Sequence, residues 1–397
     1  MRVRQQWIIL GGLELLALAL SKWQALGGVR SDEAKYLLNI PYPHPPLLRS
    51  VMSFTENLPF QEGFWRLLLA TLLVQAVWLV WDMTRTFHLE DRILVCAGWL
   101  LSSAVLTQAG SIMMAPVTAL QALFFLWLSL RPDVSKKIPG MIGLLWLASL
   151  FTAYQVILFL PLVWSLLRRS GQSRSMTALY VFAPILLLAL YSLANPLTLG
   201  AMLIRRDQGI SISLLSRFMG LGKLIIIGGA GVASVLGIWG IAKSRDRGLQ
   251  MSLLLVCGFL FFSIPQTYYA ILFTPLFVAG LYSLFHGRHH PHAQPLLAGL
   301  IAACAVITWF AQPGRIPSHA REVAQAIAHQ KWGGRLMIAG SFGHEWQYEY
   351  NDEILRYRPE LESSAQAIIC LNTCEPMFNT TGWKLLPGVP VQAWVQK

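Results

Sequence analysis

Two adjacent carboxylates, Asp32 and Glu33, lie in the segment Arg30-Ser-Asp-Glu-Ala-Lys-Tyr36, a few residues beyond a long apolar stretch. A carboxylate in such a place can take the proton from a hydroxyl as that hydroxyl attacks an electrophilic carbon. Asp32 is the candidate general base, and Glu33 the candidate for orienting an acceptor or holding a cation. The plainer reading of the same pair is a solvated acidic start to a short interfacial helix, with Ser31 and Asp32 as caps. Further on, Pro41-Tyr-Pro-His-Pro-Pro-Leu-Leu-Arg49 sets His44 between prolines whose fixed torsions stiffen its presentation. His44 can bind phosphate or serve as a turn residue, and Arg49 stands with it among the substrate-binding candidates.

A second chemical group is cationic. Arg205, Arg206, Arg217 and Lys223 occur with Leu203, Ile204, Ile210, Leu214 and Leu215 between two apolar runs, the make-up of an interfacial helix. Arginine's planar fork matches phosphate oxygens. A phosphate leaving group departs already anionic, so it needs charge stabilisation more than a general acid. Snorkelling to anionic lipid heads explains these residues equally well.

The elements that must position these residues are set by composition. Of 397 residues, 55% are hydrophobic and 13% charged, against about a quarter charged in a soluble protein. So few charges cannot cover a chain of this length with polar surface, and membrane lipid must be its solvent over much of its course. The net charge of +12 would suggest nucleic acid in a soluble protein. Here the basic residues cluster between apolar runs, the pattern that sets membrane orientation, and a nucleic-acid partner is set aside.

Apolar runs fall at 7–26, 65–83, 93–108, 116–130, 138–152, 154–167, 176–194, 224–242, 249–264, 267–285 and 294–311, predicting about eleven spans. The first is expected to be an uncleaved span, and 138–167 a hairpin of two short helices. Placing the basic clusters in the cytoplasm puts the N-terminus there too, with 27–64, 195–223 and 312–397 outside. Glu14, costly within the first span, is expected to face the bundle interior. Gly228, Gly229, Gly231 and Gly237 should allow close helix packing. His286, His289, His290 and His292 form a cytoplasmic cluster without acidic or cysteine partners, more often bland than metal-binding.

From Pro313 the pattern changes. A helix over 321–330 and strands at Arg335–Ala339, Ala367–Leu371 and Val391–Val395 predict a small α/β domain over 312–397, separate from a membrane domain over 1–311. Cys370 and Cys374 in this tail can pair if it lies outside the cytoplasm; Cys96, Cys257 and Cys304 are packing residues. Asn379-Thr-Thr is a glycosylation acceptor pattern that matters only in a eukaryotic secretory host.

Together, Asp32-Glu-Ala-Lys-Tyr36 and His44-Pro-Pro-Leu47 resemble the first-loop signature of the glycosyltransferase-C superfamily, nearest the protein O-mannosyltransferases and the lipid A aminoarabinose transferase. The junction Thr152-Ala-Tyr154 and the segment Gln266-Thr-Tyr-Tyr269 are similar to further features of the family, and bring Tyr268 and Tyr269 among the substrate-binding candidates. The resemblance implies a polytopic α-helical membrane enzyme with a GT-C-like fold and a small extracytoplasmic α/β domain. It implies inverting transfer of a sugar from a polyprenyl-phosphate donor to a hydroxyl on a lipid, glycan or protein at the outer face of the membrane, and the basic cytoplasmic loops fit a bacterial inner membrane. By position, Asp32 takes the place of the base, Glu33 its acidic neighbour, and His44 a site near the donor phosphate. One departure stands out: relatives often carry a carboxylate in the second outer loop, tied to metal or substrate, whereas Gly110-Ser-Ile-Met-Met-Ala-Pro116 has none. No cofactor is therefore expected, a divalent metal being left open. Two other classes stay open: a transporter or flippase for a lipid-linked or anionic solute, and a non-catalytic assembly subunit.

Overall fold

A computed structural model describes residues 3–40, 44–56, 58–195, 197, 212–264, 266–286, 294–311, 319–329, 334–340, 342–350, 353–371 and 381–396. The chain divides into two compact units: Met1–Gln24, Tyr42–Val51 and Glu62–Arg315 form one, and Ala25–Pro41, Met52–Gln61 and Ile316–Lys397 the other. The C-terminal region is thus grouped with two pieces of the first loop, which the domain boundary at 311 assigns to the membrane domain.

The first unit is helical throughout its described residues, and its helices fall on the apolar runs. Among the described residues, five are long and apolar enough to cross a membrane: Gln6–Ala25, Gln61–Met83, Arg174–Ala194, Thr267–Phe285 and Gln294–Ala311. A sixth candidate is the pair Leu214–Gly228 and Gly231–Lys243, bent by 101°. Met114–Ser129, Pro139–Thr152 and Arg247–Phe262 are apolar but shorter. Among the described residues, length and composition alone do not confirm the about eleven spans that the hydropathy pattern predicts.

Several apolar runs are interrupted within their helices. The run 93–108 is cut at Leu101, where Ser102 caps the helix Ser103–Gln108 by accepting from the Val105 amide at 3.3 Å. The run 154–167 opens as a 3-10 turn, Tyr154–Phe159, before the α-helix Leu160–Arg169 with Pro161 in its first turn. The run 267–285 has the same make-up, Thr267–Phe273 followed by Thr274–Phe285 with Pro275, and remains long enough to cross. Proline has no amide to donate, so the first helical turn is where it fits. The stretch 138–167 forms two helical segments divided at Ala153, whose backbone is extended (φ −155°).

Glycines set the sharpest break and the closest crossing. Leu214–Gly228 ends at Gly228-Gly229-Ala230-Gly231, where Gly231 has φ +62°. The carbonyls freed there are used: Gly228 accepts from Thr274 Oγ1 at 2.6 Å and Gly229 from the Ser103 amide at 3.1 Å. Between Ser234–Lys243 and Thr274–Phe285, a Cβ on Gly280 would run into the backbone of Gly237. The expected close packing holds at Gly228 and Gly237, where a Cβ would run into Ala270 O and Phe277, whereas Gly231 serves the break instead.

Glu14 departs from expectation. It is exposed on Val3–Ala25 and accepts from Thr71 Oγ1 at 3.0 Å and Gln75 Nε2 at 2.7 Å. Those donors stand one turn apart on the neighbouring helix, so the carboxylate is hydrogen-bonded at the helix seam without turning inward. His286 stacks on Tyr282 (ring centroids 5.3 Å apart), while His289, His290 and His292 lie outside the described residues.

The second unit carries a five-stranded sheet, β1 Leu336–Ala339, β2 Ile354–Arg356, β3 Ala367–Cys370, β4 Trp383–Leu385 and β5 Gln392–Gln396, in the order β2-β1-β3-β5-β4. β1 runs parallel to both β2 and β3, while β5 is antiparallel to β3 and β4. Strand alternation splits the core. Leu336, Ile338, Ile369, Ala393 and Val395 pack with Ala320, Val323 and Ile327 of the helix His319–His329. Met337, Ile368 and Cys370 gather instead with Ala365 and Trp383. The three strands and the helix legible in the sequence are present; β2 and β4, three residues each, are additions. Cys370 is disulfide-bonded; Cys374 lies outside the described residues, as does Asn379.

Candidate functional site

The Asp32-Glu33 motif forms a single short helix, Ser31–Leu37, and both of its ends are closed by local hydrogen bonds. At the start, Glu33 turns back and accepts from the Arg30 amide at 3.0 Å, one half of a capping box. At the end, Asn39 adopts φ +49°, its amide donates to Tyr36 O, and the Ile40 amide donates to Lys35 O at 2.9 Å. This is the Schellman stop, with asparagine taking the left-handed position that glycine usually fills. Ala34, Tyr36 and Leu37 are buried and anchor the helix.

The two carboxylates therefore stand in different surroundings. Glu33 is 1% exposed and serves the cap. The Asp32 side chain keeps 32% of its surface exposed, and its Oδ1 accepts from Lys35 Nζ at 2.9 Å. Of the pair, Asp32 is the more accessible. The expected caps, Ser31 and Asp32, do not act as caps: the N-cap is Arg30, and Ser31 Oγ accepts from the His344 amide at 3.1 Å.

Sequence reasoning missed what surrounds this helix within the second unit. Ser31 packs against Gly343, where even a Cβ would collide with its hydroxyl. Arg321 grips Glu349 through Nε (3.0 and 3.1 Å) and Nη2 (2.7 Å), and its Nη1 donates to the Ala25 carbonyl at 3.0 Å. The Val29 amide reaches Glu349 Oε1 at 3.4 Å. These residues are far from the motif in sequence and carry no pattern that would announce them.

In the first unit the structure joins two features of the sequence. His44, 5% exposed, stacks on Tyr154, with ring centroids 5.2 Å apart and planes 23° from parallel. Three other candidates gather at the last turn of Arg247–Phe262. Arg217 Nη1 donates to Phe261 O (3.0 Å) and Phe262 O (3.1 Å), and Tyr269 sits edge-on to Phe259 with Tyr268 against it. Arg217 opens the helix Leu214–Gly228 rather than a separate interfacial helix, and Lys223 lies exposed within it. Arg49 is half-buried on Leu47–Ser53. Arg205 and Arg206 lie outside the described residues.

The start of the helix Gln61–Gln75 holds a group that the sequence reading did not single out. Arg66, fully buried, pairs with Glu62 at 2.7 Å and donates to Gly110 O at 3.1 Å. The Glu62-x-x-x-Arg66 spacing at the edge of a span was legible in the sequence as an i,i+4 pair. Among the described residues, no three His, Cys, Asp or Glu side chains converge to hold a metal ion.

Comparison with known proteins gives one kind of likeness. No family model and no curated protein matches the sequence. Among solved structures, ArnT from Cupriavidus metallidurans bound to undecaprenyl phosphate superimposes with a TM-score of 0.60 at 14% identity, over 98% of both chains. Its apo form gives 0.59 at 14% identity, over 99% of this chain and 98% of that one. The mycobacterial arabinofuranosyltransferase AftD gives 0.50 at 12% identity, over 98% of this chain and 41% of its own. The chain resembles these solved structures in fold.

Proposed function

We propose that this chain is an integral membrane glycosyltransferase that moves a sugar from a polyprenyl-phosphate donor to an acceptor hydroxyl, with inversion, at the outer face of a bacterial inner membrane. The observation that carries the reading is the likeness of fold along the whole chain to ArnT, whose structure holds undecaprenyl phosphate. The first-loop motif joins it, with Asp32 the more exposed carboxylate of the pair.

In this reading Asp32 takes the proton from the acceptor hydroxyl. The oxygen bonds to the anomeric carbon from the face opposite the phosphate, and the bond from that carbon to the phosphate oxygen breaks with its electron pair. Polyprenyl phosphate leaves as an anion and needs no general acid. His44, Arg49 and Arg217, with Arg205 and Arg206, are the groups proposed to hold it. Tyr268 and Tyr269 line the sugar or lipid. The acceptor is a lipid, glycan or protein hydroxyl, and the C-terminal domain selects or covers it. The N-terminus lies in the cytoplasm and the C-terminal domain outside.

One observation favours transport: the 101° bend between Leu214–Gly228 and Gly231–Lys243 resembles the broken helices of transporters. Its carbonyls, however, are engaged by Thr274 and Ser103 rather than turned toward a solute. Purified protein in lipid, given a panel of polyprenyl-phosphate sugars with and without chelator, should release polyprenyl phosphate from one of them. Vectorial movement of a lipid-linked solute without sugar release would replace this reading with transport. Loss of release on chelation would add a metal to it.

A further inference from the structure

The carboxylate proposed as base follows a slack piece of chain. Val3–Ala25 ends one residue before Leu26-Gly-Gly-Val-Arg30, and Gly28 has φ +69°. Paired glycines lose more conformational freedom on ordering than any other residues, so this link would not by itself fix where Asp32 points. The C-terminal domain supplies what the link lacks, at three points in one compact unit. Arg321 Nη1 holds the Ala25 carbonyl, Glu349 accepts from the Val29 amide, and the His344 amide donates to Ser31 Oγ. Arg321 and Glu349 are themselves locked by a forked ion pair, with 23% and 11% of their side chains exposed. Forked, partly desolvated pairs hold direction as well as charge. The next residue after the last point is Asp32.

We infer that Arg321, Glu349 and the Gly343-His344 turn are positioning residues for the Asp32 carboxylate, so that the C-terminal domain sets the geometry of the transfer step. This rests on Asp32 being the base. The inference concerns kcat: a misplacement of about 1 Å at a reacting group can cost on the order of a hundredfold, while the donor keeps its own binding groups.

The test is a double-mutant cycle on the full-length protein in lipid, with Arg321→Ala, Asp32→Asn and the two combined. Arg321→Ala should lower kcat by roughly 10–100-fold and leave KM for the donor within about twofold, with Arg321→Lys in between. The combined variant should be no slower than Asp32→Asn alone, because Arg321 acts through Asp32. Should Arg321→Ala fold poorly, Gly343→Ala replaces it in the cycle, since its Cβ runs into Ser31 and the Glu345 carboxylate, neither of which belongs to the Arg321–Glu349 pair. Losses that multiply in the combined variant, or a rise in KM with unchanged kcat, would overturn the inference. If Asp32→Asn alone keeps native activity, it is the base assignment that has failed. Amide exchange over residues 27–34 gives a readout without turnover: it should quicken in Arg321→Ala, and unchanged exchange would refute the clamp.

Discussion

Asp32 and Glu33 are adjacent in sequence, yet one faces solvent beside Lys35 and the other is buried in a helix cap. Glu33→Gln keeps an oxygen that can accept from the Arg30 amide and loses only the charge-assisted share of the bond, about 1 kcal/mol. Its activity should therefore stay within roughly tenfold of native; a hundredfold fall would place Glu33 in the chemistry. His44, stacked on Tyr154, is proposed to meet the donor phosphate. Losing one charge-assisted hydrogen bond costs about 1.5–3 kcal/mol. Steady-state kinetics of His44→Ala should thus show donor kcat/KM falling about 10–100-fold with acceptor KM unchanged. At this scale the sequence exposed the motif residues but not their surroundings. Type and spacing mark Asp32, Glu33 and His44, whereas Arg321 and Glu349 reach residues 25–29 across some 300 positions of chain.

At the scale of elements, hydropathy found every apolar run but not where a run is cut. The cuts are made by few residues: Ser102 as a cap, Pro161 after a 3-10 turn, and the small residues at 228–231. A windowed reading averages such residues away. The strands missed, β2 and β4, are three residues long and paired at the two edges of the sheet, too short to show alternation. The Gly237–Gly280 crossing makes a sharp prediction. Gly280→Ala must push apart backbones that are in contact, so it should cost about 1–3 kcal/mol, the usual range for overpacking, seen as a lowered Tm in detergent. Thr274→Val removes the donor to Gly228 O and strands a buried carbonyl, again at about 1–3 kcal/mol. If either variant matches native Tm, the packing described for this break is wrong.

For the molecule as a whole, charge distribution gives an orientation that labelling can check. Lys137 and Lys384 are both exposed, one in a basic connection and one in the C-terminal sheet. A membrane-impermeant thiol reagent applied to intact cells should modify Lys384→Cys and spare Lys137→Cys. The reverse pattern would turn the proposed site toward the cytoplasm. Class was legible at this scale because 13% charged residues over 397 leave few alternatives to lipid as solvent. The grouping of 25–41 and 52–61 with the C-terminal domain was not, since it depends on contacts between distant segments.

The proposed function turns on whether Asp32 takes a proton during sugar transfer. The deciding measurement is the single-turnover rate of polyprenyl-phosphate release, native against Asp32→Asn, in the same lipid and with matched Tm. A fall of about a hundredfold or more, with donor binding unchanged, is what a general base requires; equal rates would place the base elsewhere and contradict the assignment.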